Sequence, residues 1–147
     1  RRHADTRGEL TGEARMNKPL PAVDPGTAPY WNALNEGRLL LKSCRACGKA
    51  HFYPREICPH CRSVNLEWVE ARGTGEIYSF TVAHRPAGPA FAQDAPYVIA
   101  IVELAEGPRM MTWILDAPEA VAIGRKVRLR PRKVSEEITL PMFEIDE

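Results

Sequence analysis

All four cysteines of this 147-residue chain lie between Cys44 and Cys61, arranged as two C-x-x-C pairs. Cys44 and Cys47 form the first pair, and Cys58 and Cys61 form the second. Each pair fits a tight turn, and two such turns facing each other place four thiolates at the corners of a tetrahedron, as in a closed structural zinc site. Because this segment is too small to fold without a crosslink, we predict a zinc ribbon held by these four ligands.

The same thiols have alternative interpretations. They could form two disulfides or stay free, and a tetrathiolate also holds a rubredoxin-type iron, which makes an electron carrier an alternative function. The paired spacing favours zinc. His51 and His60 lie in the same segment, but four thiolates complete the shell, so we expect both imidazoles at the surface or beside the ligands. Gly48 suits a turn with positive φ, whereas Arg62 at the equivalent place departs from that pattern.

The composition argues against export and membrane insertion. The hydrophobic fraction is 44% and the net charge is +1. No apolar run approaches the roughly 18 residues that span a bilayer. Residues 1–16 are charged and lack the apolar segment of a secretory signal, so we expect a disordered leader that ends at Met16. We expect a cytoplasmic protein, because cysteine clusters in that reducing compartment bind metals more often than they form disulfides.

Residues 17–38 predict a proline-rich extended segment followed by one short helix. The helix occupies TAPYWNALNEG, since Thr27 can cap it, Pro29 suits its first turn and Gly37 stops it. Its large apolar side chains lie close together, and we interpret them as a face that docks on a partner. This docking face consists of Tyr30, Trp31 and Leu34.

Strand patterns dominate the rest of the chain. RLLLKS and LEWVEA flank the cysteines and complete a ribbon over residues 39–71, and residues 72–147 hold five further strand patterns. PYVIAIVEL is almost wholly apolar, which predicts a central strand, and the turn AEGP after it predicts a hairpin. Alternation in GEIYSFTVAH places Tyr78, Phe80 and Val82 on one side, toward the core. We therefore predict a mainly β protein with an N-terminal helix, a rubredoxin-like zinc ribbon and a C-terminal OB-fold barrel.

The ordered set of motifs resembles a known family. YW-x-x-L-x-x-G precedes C-R-A-C-G, P-R-x-x-C-P-x-C, G-T-G-x-I-Y-S-F-T, P-Y-V-I-A-I-V-E-L and E-G-P-R, between about Asp24 and Ile145. In this order they resemble the bacterial and archaeal zinc-ribbon OB-fold family associated with acyl-CoA metabolism. The resemblance implies a small non-catalytic subunit of a thiolase-like, aldolase or hydratase partner, whose acyl-CoA channel the OB-fold helps to shape. A thiolase-like partner, which makes or breaks a C–C bond next to the thioester, is the one we expect first.

The loop from His84 to Pro96 is long and rich in proline. A stiff loop presents the aromatic Phe91 at little ordering cost, which favours contact with a partner or an acyl chain, although a plain surface loop is the alternative. His84 is the only histidine of the barrel segment and has no neighbouring carboxylate in sequence, so we predict no catalysis by the chain alone. His84 and the adjacent Arg85 remain candidate contacts of the acyl-CoA or the partner.

Residues 125–133 carry six cationic side chains. They could form a solvated strand face, or they could bind the phosphates of coenzyme A, for which Arg128 and Arg130 are the candidates. A third interpretation is binding of single-stranded nucleic acid, with Tyr78, Phe80 and Trp113 as stacking rings. The near-zero net charge and the expected burial of these rings make nucleic acid the weaker alternative.

Overall fold

The structure is a computed structural model that describes residues 18–147. The leader expected over residues 1–16 lies outside the described residues. A helix and a three-stranded ribbon sheet come first in the chain, and a closed barrel follows. Among the described residues, no helix has the length and apolarity needed to cross a membrane.

The chain contains one α-helix and eight strands over residues 18–147. The helix and the ribbon strands are α1 (Ala28–Asn35), β1 (Leu40–Cys44), β2 (Ala50–His51) and β3 (Leu66–Glu70). The barrel strands are β4 (Thr74–Ala83), β5 (Tyr97–Leu104), β6 (Arg109–Ile114), β7 (Lys126–Lys133) and β8 (Thr139–Ile145). Short 3-10 turns at Pro89–Phe91 and Pro118–Ala120 interrupt the two longest connections of the barrel.

The barrel has the strand order of an OB-fold. Its strands neighbour one another in the order β4-β5-β6-β8-β7, and β7 pairs with β4 to close the barrel. The pairs are antiparallel except for β6 and β8, which run parallel. Alternate residues of β5 point into the barrel, where Val98 and Val102 meet Val127 and Phe143 in one core. The predicted fold class is confirmed, and PYVIAIVEL is an internal strand that forms a hairpin with β6.

The ends of α1 are fixed by backbone chemistry. Gly37 has φ of +79°, and its N–H donates to the carbonyl of Leu34 at 3.0 Å while the N–H of Arg38 donates to that of Ala33 at 2.8 Å. These two hydrogen bonds form a Schellman motif, so Gly37 stops the helix as predicted. Thr27 stands at the first cap position, but its hydroxyl makes no cap bond. Its backbone N–H is instead bound by the carboxylate of Asp24 at 2.9 Å.

The apolar face of α1 packs inside the chain. Tyr30, Trp31 and Leu34 are 1%, 5% and 1% exposed and belong to the same core cluster as the barrel interior. The ring of Tyr30 lies 5.8 Å from that of Phe52 in the ribbon. These three side chains therefore pack inside the chain and do not form the docking face that we expected, since a partner cannot reach them. At the end of the helix, the side-chain amide of Asn35 donates a hydrogen bond to the carbonyl of residue 137 and accepts one from the hydroxyl of residue 139. These two bonds tie the helix to the barrel.

The expectation that Tyr78 faces the core is wrong. The pairing of β4 with β5 shifts register between Ile77 and Ser79, which is the sign of a β-bulge. At this irregularity Tyr78 is 50% exposed, and its ring lies 3.6 Å from the guanidinium of Arg109. Phe80 is partly buried against the core, as alternation predicts.

Candidate metal centre and binding surfaces

Two turns of the same shape present the cysteines. In the first, the N–H of Gly48 donates to the carbonyl of Cys44 at 2.7 Å, and in the second the N–H of Arg62 donates to that of Cys58 at 2.9 Å. Gly48 has φ of +73°, and Arg62 reaches +63° although it carries a side chain. A non-glycine residue with positive φ is uncommon. Arg62 therefore differs from Gly48 in residue type, but the backbone of the two turns has the same conformation.

The four sulfurs lie where one metal ion can bind them together. All four Sγ atoms lie within 4.8 Å of one another. Cys44 and Cys61 are 3.5 Å apart, and Cys47 and Cys58 are 3.8 Å apart. A tetrahedral ion with bonds of about 2.3 Å separates its sulfurs by about 3.8 Å, whereas a disulfide needs about 2.05 Å. The geometry therefore fits a tetrathiolate metal centre, and the four cysteines form no disulfide in the structure.

The backbone around the first turn favours the thiolate form of its cysteine. The pKa of the Cys44 thiol is lowered to about 6, first by a hydrogen bond from the N–H of Cys47, although burial opposes the change. The N–H of Ala46 acts in the same direction. A thiolate is the form that binds metal, so this backbone arrangement favours Cys44 as a ligand.

The two histidines of the ribbon differ in environment. His60 is exposed, whereas His51 is 4% exposed within β2, so the surface alternative is wrong for His51 and a place beside the ligands stays a prediction. Neither ring nitrogen of His51 has a hydrogen-bond partner among residues 18–147. Burial lowers the pKa of His51, and the neighbouring side chains of His60 and Arg55 lower it further. His51 is therefore a buried imidazole whose hydrogen-bonding capacity is unused within residues 18–147.

The loop between β4 and β5 is held against the barrel. Its Phe91 is half-buried, with its ring 6.1 Å from Trp113 and 6.4 Å from Tyr97. Asp94 of the loop forms an ion pair with Lys18 at 2.6 Å. His84 and Arg85, at the start of the loop, are exposed and have no ion-pair partner within residues 18–147. The structure thus brings Phe91 to the barrel surface and leaves His84 and Arg85 exposed to solvent.

Carboxylates neutralise much of the basic strand β7. Arg128 binds Glu144 at 2.9 Å, and Arg130 approaches the same carboxylate at 3.8 Å. Lys126 is paired with Glu76. A row of cations engaged in this way offers less charge to a phosphate or to a nucleic-acid backbone than the sequence suggests. The sequence pattern concealed this pairing, because the acidic partners lie on the neighbouring strands β4 and β8.

Sequence reasoning missed an apolar surface on the outside of the barrel. Ile101 lies directly opposite Met111, and Ile99 lies opposite Trp113, so these four side chains share one face, which we call the β5–β6 face. Met111 is 67% exposed. Phe91 extends the surface through its contact with Trp113. Alternation in PRMMTWIL carried the signal, since Met110 and Thr112 point inward and their neighbours must point out.

Comparison with known proteins agrees with this architecture. Two family models match the chain, the ChsH2 rubredoxin-like zinc ribbon domain over residues 31–67 and the ChsH2 C-terminal OB-fold domain over residues 68–132. A DUF35 domain-containing scaffold protein of Methanocaldococcus jannaschii is 40% identical over 110 residues, which cover 73% of this chain and 77% of that protein. The chain belongs to the DUF35 family.

Solved structures resemble this DUF35 chain along most of its length. A structure described as the Ltp2-ChsH2(DUF35) aldolase matches with a TM-score of 0.75 and 41% identity, over 86% of this chain and 98% of that chain. A DUF35 protein of unknown function from Sulfolobus solfataricus matches with a TM-score of 0.59 at 19% identity, over 84% of this chain and 87% of its own. The second match supports the fold alone.

A longer relative contains a region similar to this DUF35 chain. The probable enoyl-CoA hydratase alpha subunit of Thermomonospora curvata is 42% identical over 127 residues, which cover 86% of this chain. The matched region is only 39% of that relative. The DUF35 chain thus corresponds to one part of a larger subunit in that protein.

Proposed function

We propose that this chain is an accessory subunit of an acyl-CoA-processing complex and that its partner is an aldolase or a hydratase. The observation that carries the proposal is the match, at 41% identity, to nearly the whole DUF35 chain of the Ltp2-ChsH2 aldolase. The similarity to part of a hydratase alpha subunit points the same way. These relatives favour an aldolase or hydratase over the thiolase-like partner that we expected first.

The metal we propose for the four cysteines is zinc. Zinc binds four thiolates in a tetrahedron and is redox-inactive. A closed coordination shell leaves no position for substrate. The ion therefore holds the ribbon together and takes no part in chemistry. Metal analysis distinguishes it from iron, because an iron tetrathiolate is coloured and redox-active whereas zinc is neither.

We propose that the partner supplies the catalytic residues. The four cysteines of the chain are committed to the metal centre, so no thiol remains as a nucleophile. His84 is exposed and forms no hydrogen bond or ion pair with a carboxylate within residues 18–147. Acid–base chemistry requires partners placed together, and the described part of the chain bonds no carboxylate to this imidazole.

The β5–β6 face is the surface that we propose for docking. Exposed apolar side chains that cluster on one face of a small protein mark sites of interaction. Phe91 lies at the edge of this face, so we propose that it contacts the partner or the acyl chain, with His84 and Arg85 nearby in the same loop. Arg128 and Arg130 are weaker candidates for the acyl-CoA phosphates, because Glu144 already binds them. We place the complex in the cytoplasm, where thiols stay reduced.

Co-purification tests this proposal. A tagged chain should retain a stoichiometric partner that mass spectrometry identifies as an acyl-CoA aldolase or hydratase subunit. Met111→Asp should abolish retention, since it places a charge in the β5–β6 face. Ile123→Asp is the matched control, because Ile123 is 69% exposed but lies outside that face. Retention of an unrelated protein, or equal retention by both variants, contradicts the proposal.

A further inference from the structure

A cavity of about 620 Å³ separates the ribbon from the β5–β6 turn. The ribbon side is formed by the stretch 48–52 with Arg55, and the barrel side by Glu103 and the turn at residues 106–109. This size is within the range of sites for small organic ligands. No role in the metal centre or on the β5–β6 face requires such a space.

Two residues that line the cavity carry buried polar atoms without partners within residues 18–147. His51, which is 4% exposed, has two ring nitrogens that bind nothing among residues 18–147. Across the cavity, Oε2 of Glu106 accepts a hydrogen bond from the N–H of Arg72 at 3.1 Å, but its Oε1 is buried and has no partner in the same part of the chain. Unsatisfied buried groups are costly and rare, so both point to a ligand that can donate as well as accept.

The charge balance at the cavity favours an anion. Lys49 and Arg55 are exposed at its rim and have no ion-pair partner within residues 18–147. Of the two carboxylates, Glu103 is neutralised by Arg109 at 2.7 Å. Glu106 has no ion-pair partner within residues 18–147, and its Oε1 has no hydrogen-bond partner there. The cations thus outnumber the free carboxylates.

We propose that this cavity binds an organic phosphate ester with a hydroxyl group beside the phosphate. Arg55 and Lys49 hold the phosphate, since a guanidinium fork and an ammonium suit its oxygens. His51 donates one hydrogen bond, and Glu106 accepts one from the hydroxyl. The adenosine 3′-phosphate end of coenzyme A has this chemistry, and that choice of ligand rests on the proposed function. The site itself belongs to this chain and requires no partner subunit.

Calorimetric titration of the purified chain tests the site with four probes. Coenzyme A and adenosine 3′,5′-bisphosphate should bind, inorganic phosphate should bind more weakly, and adenosine should not bind. Backbone NMR should place the largest shift changes at the amides of Gly48 and Gly107, which line the cavity. Absence of binding by both adenosine phosphates at millimolar concentration overturns the proposal.

Two variants distinguish a specific binding site from nonspecific electrostatic attraction of anions. Arg55→Ala should weaken binding of the bisphosphate at least tenfold, because a charge-assisted hydrogen bond is lost. Arg132→Ala, which removes an exposed cation on β7, should leave affinity unchanged. Equal affinity for both variants overturns the proposal. Because the titration uses the chain without a partner, a negative result leaves co-purification of an aldolase or hydratase intact, and failure of co-purification leaves the titration intact.

Discussion

Replacement of Leu34 by alanine distinguishes a packed helix from a docking helix. Leu34 is 1% exposed in the core beneath α1, and the substitution removes three carbon atoms. At about 0.8 kcal/mol for each buried methylene the lost transfer free energy is about 2.4 kcal/mol, and the residual cavity raises the total to about 3 kcal/mol. The 130 described residues, 18 to 147, unfold with an entropy of about 0.27 kcal/mol/K, so Tm should fall by about 11 °C.

Thermal unfolding of the purified chain, followed by circular dichroism, measures this change. Asn32→Ala is the matched control, since Asn32 is exposed on the same helix, and its Tm should move by no more than about 2 °C. If Leu34→Ala keeps the Tm of the parent but loses the partner subunit in co-purification, the packing argument fails and the docking interpretation of α1 returns.

Three further substitutions test other parts of the structure. Cys58→Ser should reduce bound zinc from one ion per chain to a small fraction in metal analysis, because one thiolate ligand is lost. Gly75→Ala should lower the unfolding free energy by about 2 kcal/mol or more in urea, since a Cβ there would lie 2.4 Å from the Glu103 carbonyl oxygen, whereas Gly88→Ala, with open space around it, should be neutral. Burial, and then Tyr53, raise the pKa of Tyr30 above its usual value of about 10, so the unfolded chain loses that proton first as the pH rises. Stability should therefore fall above about pH 10, and less steeply in Tyr30→Phe when urea unfolding is compared at pH 9 and pH 11.

The sequence was sufficient to predict features that depend on local spacing. The two C-x-x-C pairs predicted the metal centre, and the turn after the apolar run predicted the β5–β6 hairpin. The positive φ at Gly37 ended the helix where the residue type indicated. Each of these signals lies within a few residues of the structure that it specifies.

Features that depend on distant residues were not predictable in the same way. The apolar face of α1 has the same pattern whether its own chain or a partner covers it, and Phe52 is far away in sequence. Exposure of Tyr78 follows from a register shift that only strand pairing creates. Neutralisation of Arg128 by Glu144 likewise requires the adjacency of β7 and β8. The cavity beside His51 arises where the ribbon meets the barrel, and no stretch of sequence contains both sides.

The attachment of α1 to both halves of the molecule affects how the molecule unfolds. Tyr30 contacts the ribbon ring of Phe52, while Asn35 is bonded to the segment that enters β8, so one short helix is shared by both halves. Chelation of the ion should therefore not melt the ribbon alone. Unfolding of the ribbon should spread along the helix into the barrel. Calorimetry should then record a single cooperative transition whose midpoint follows metal occupancy.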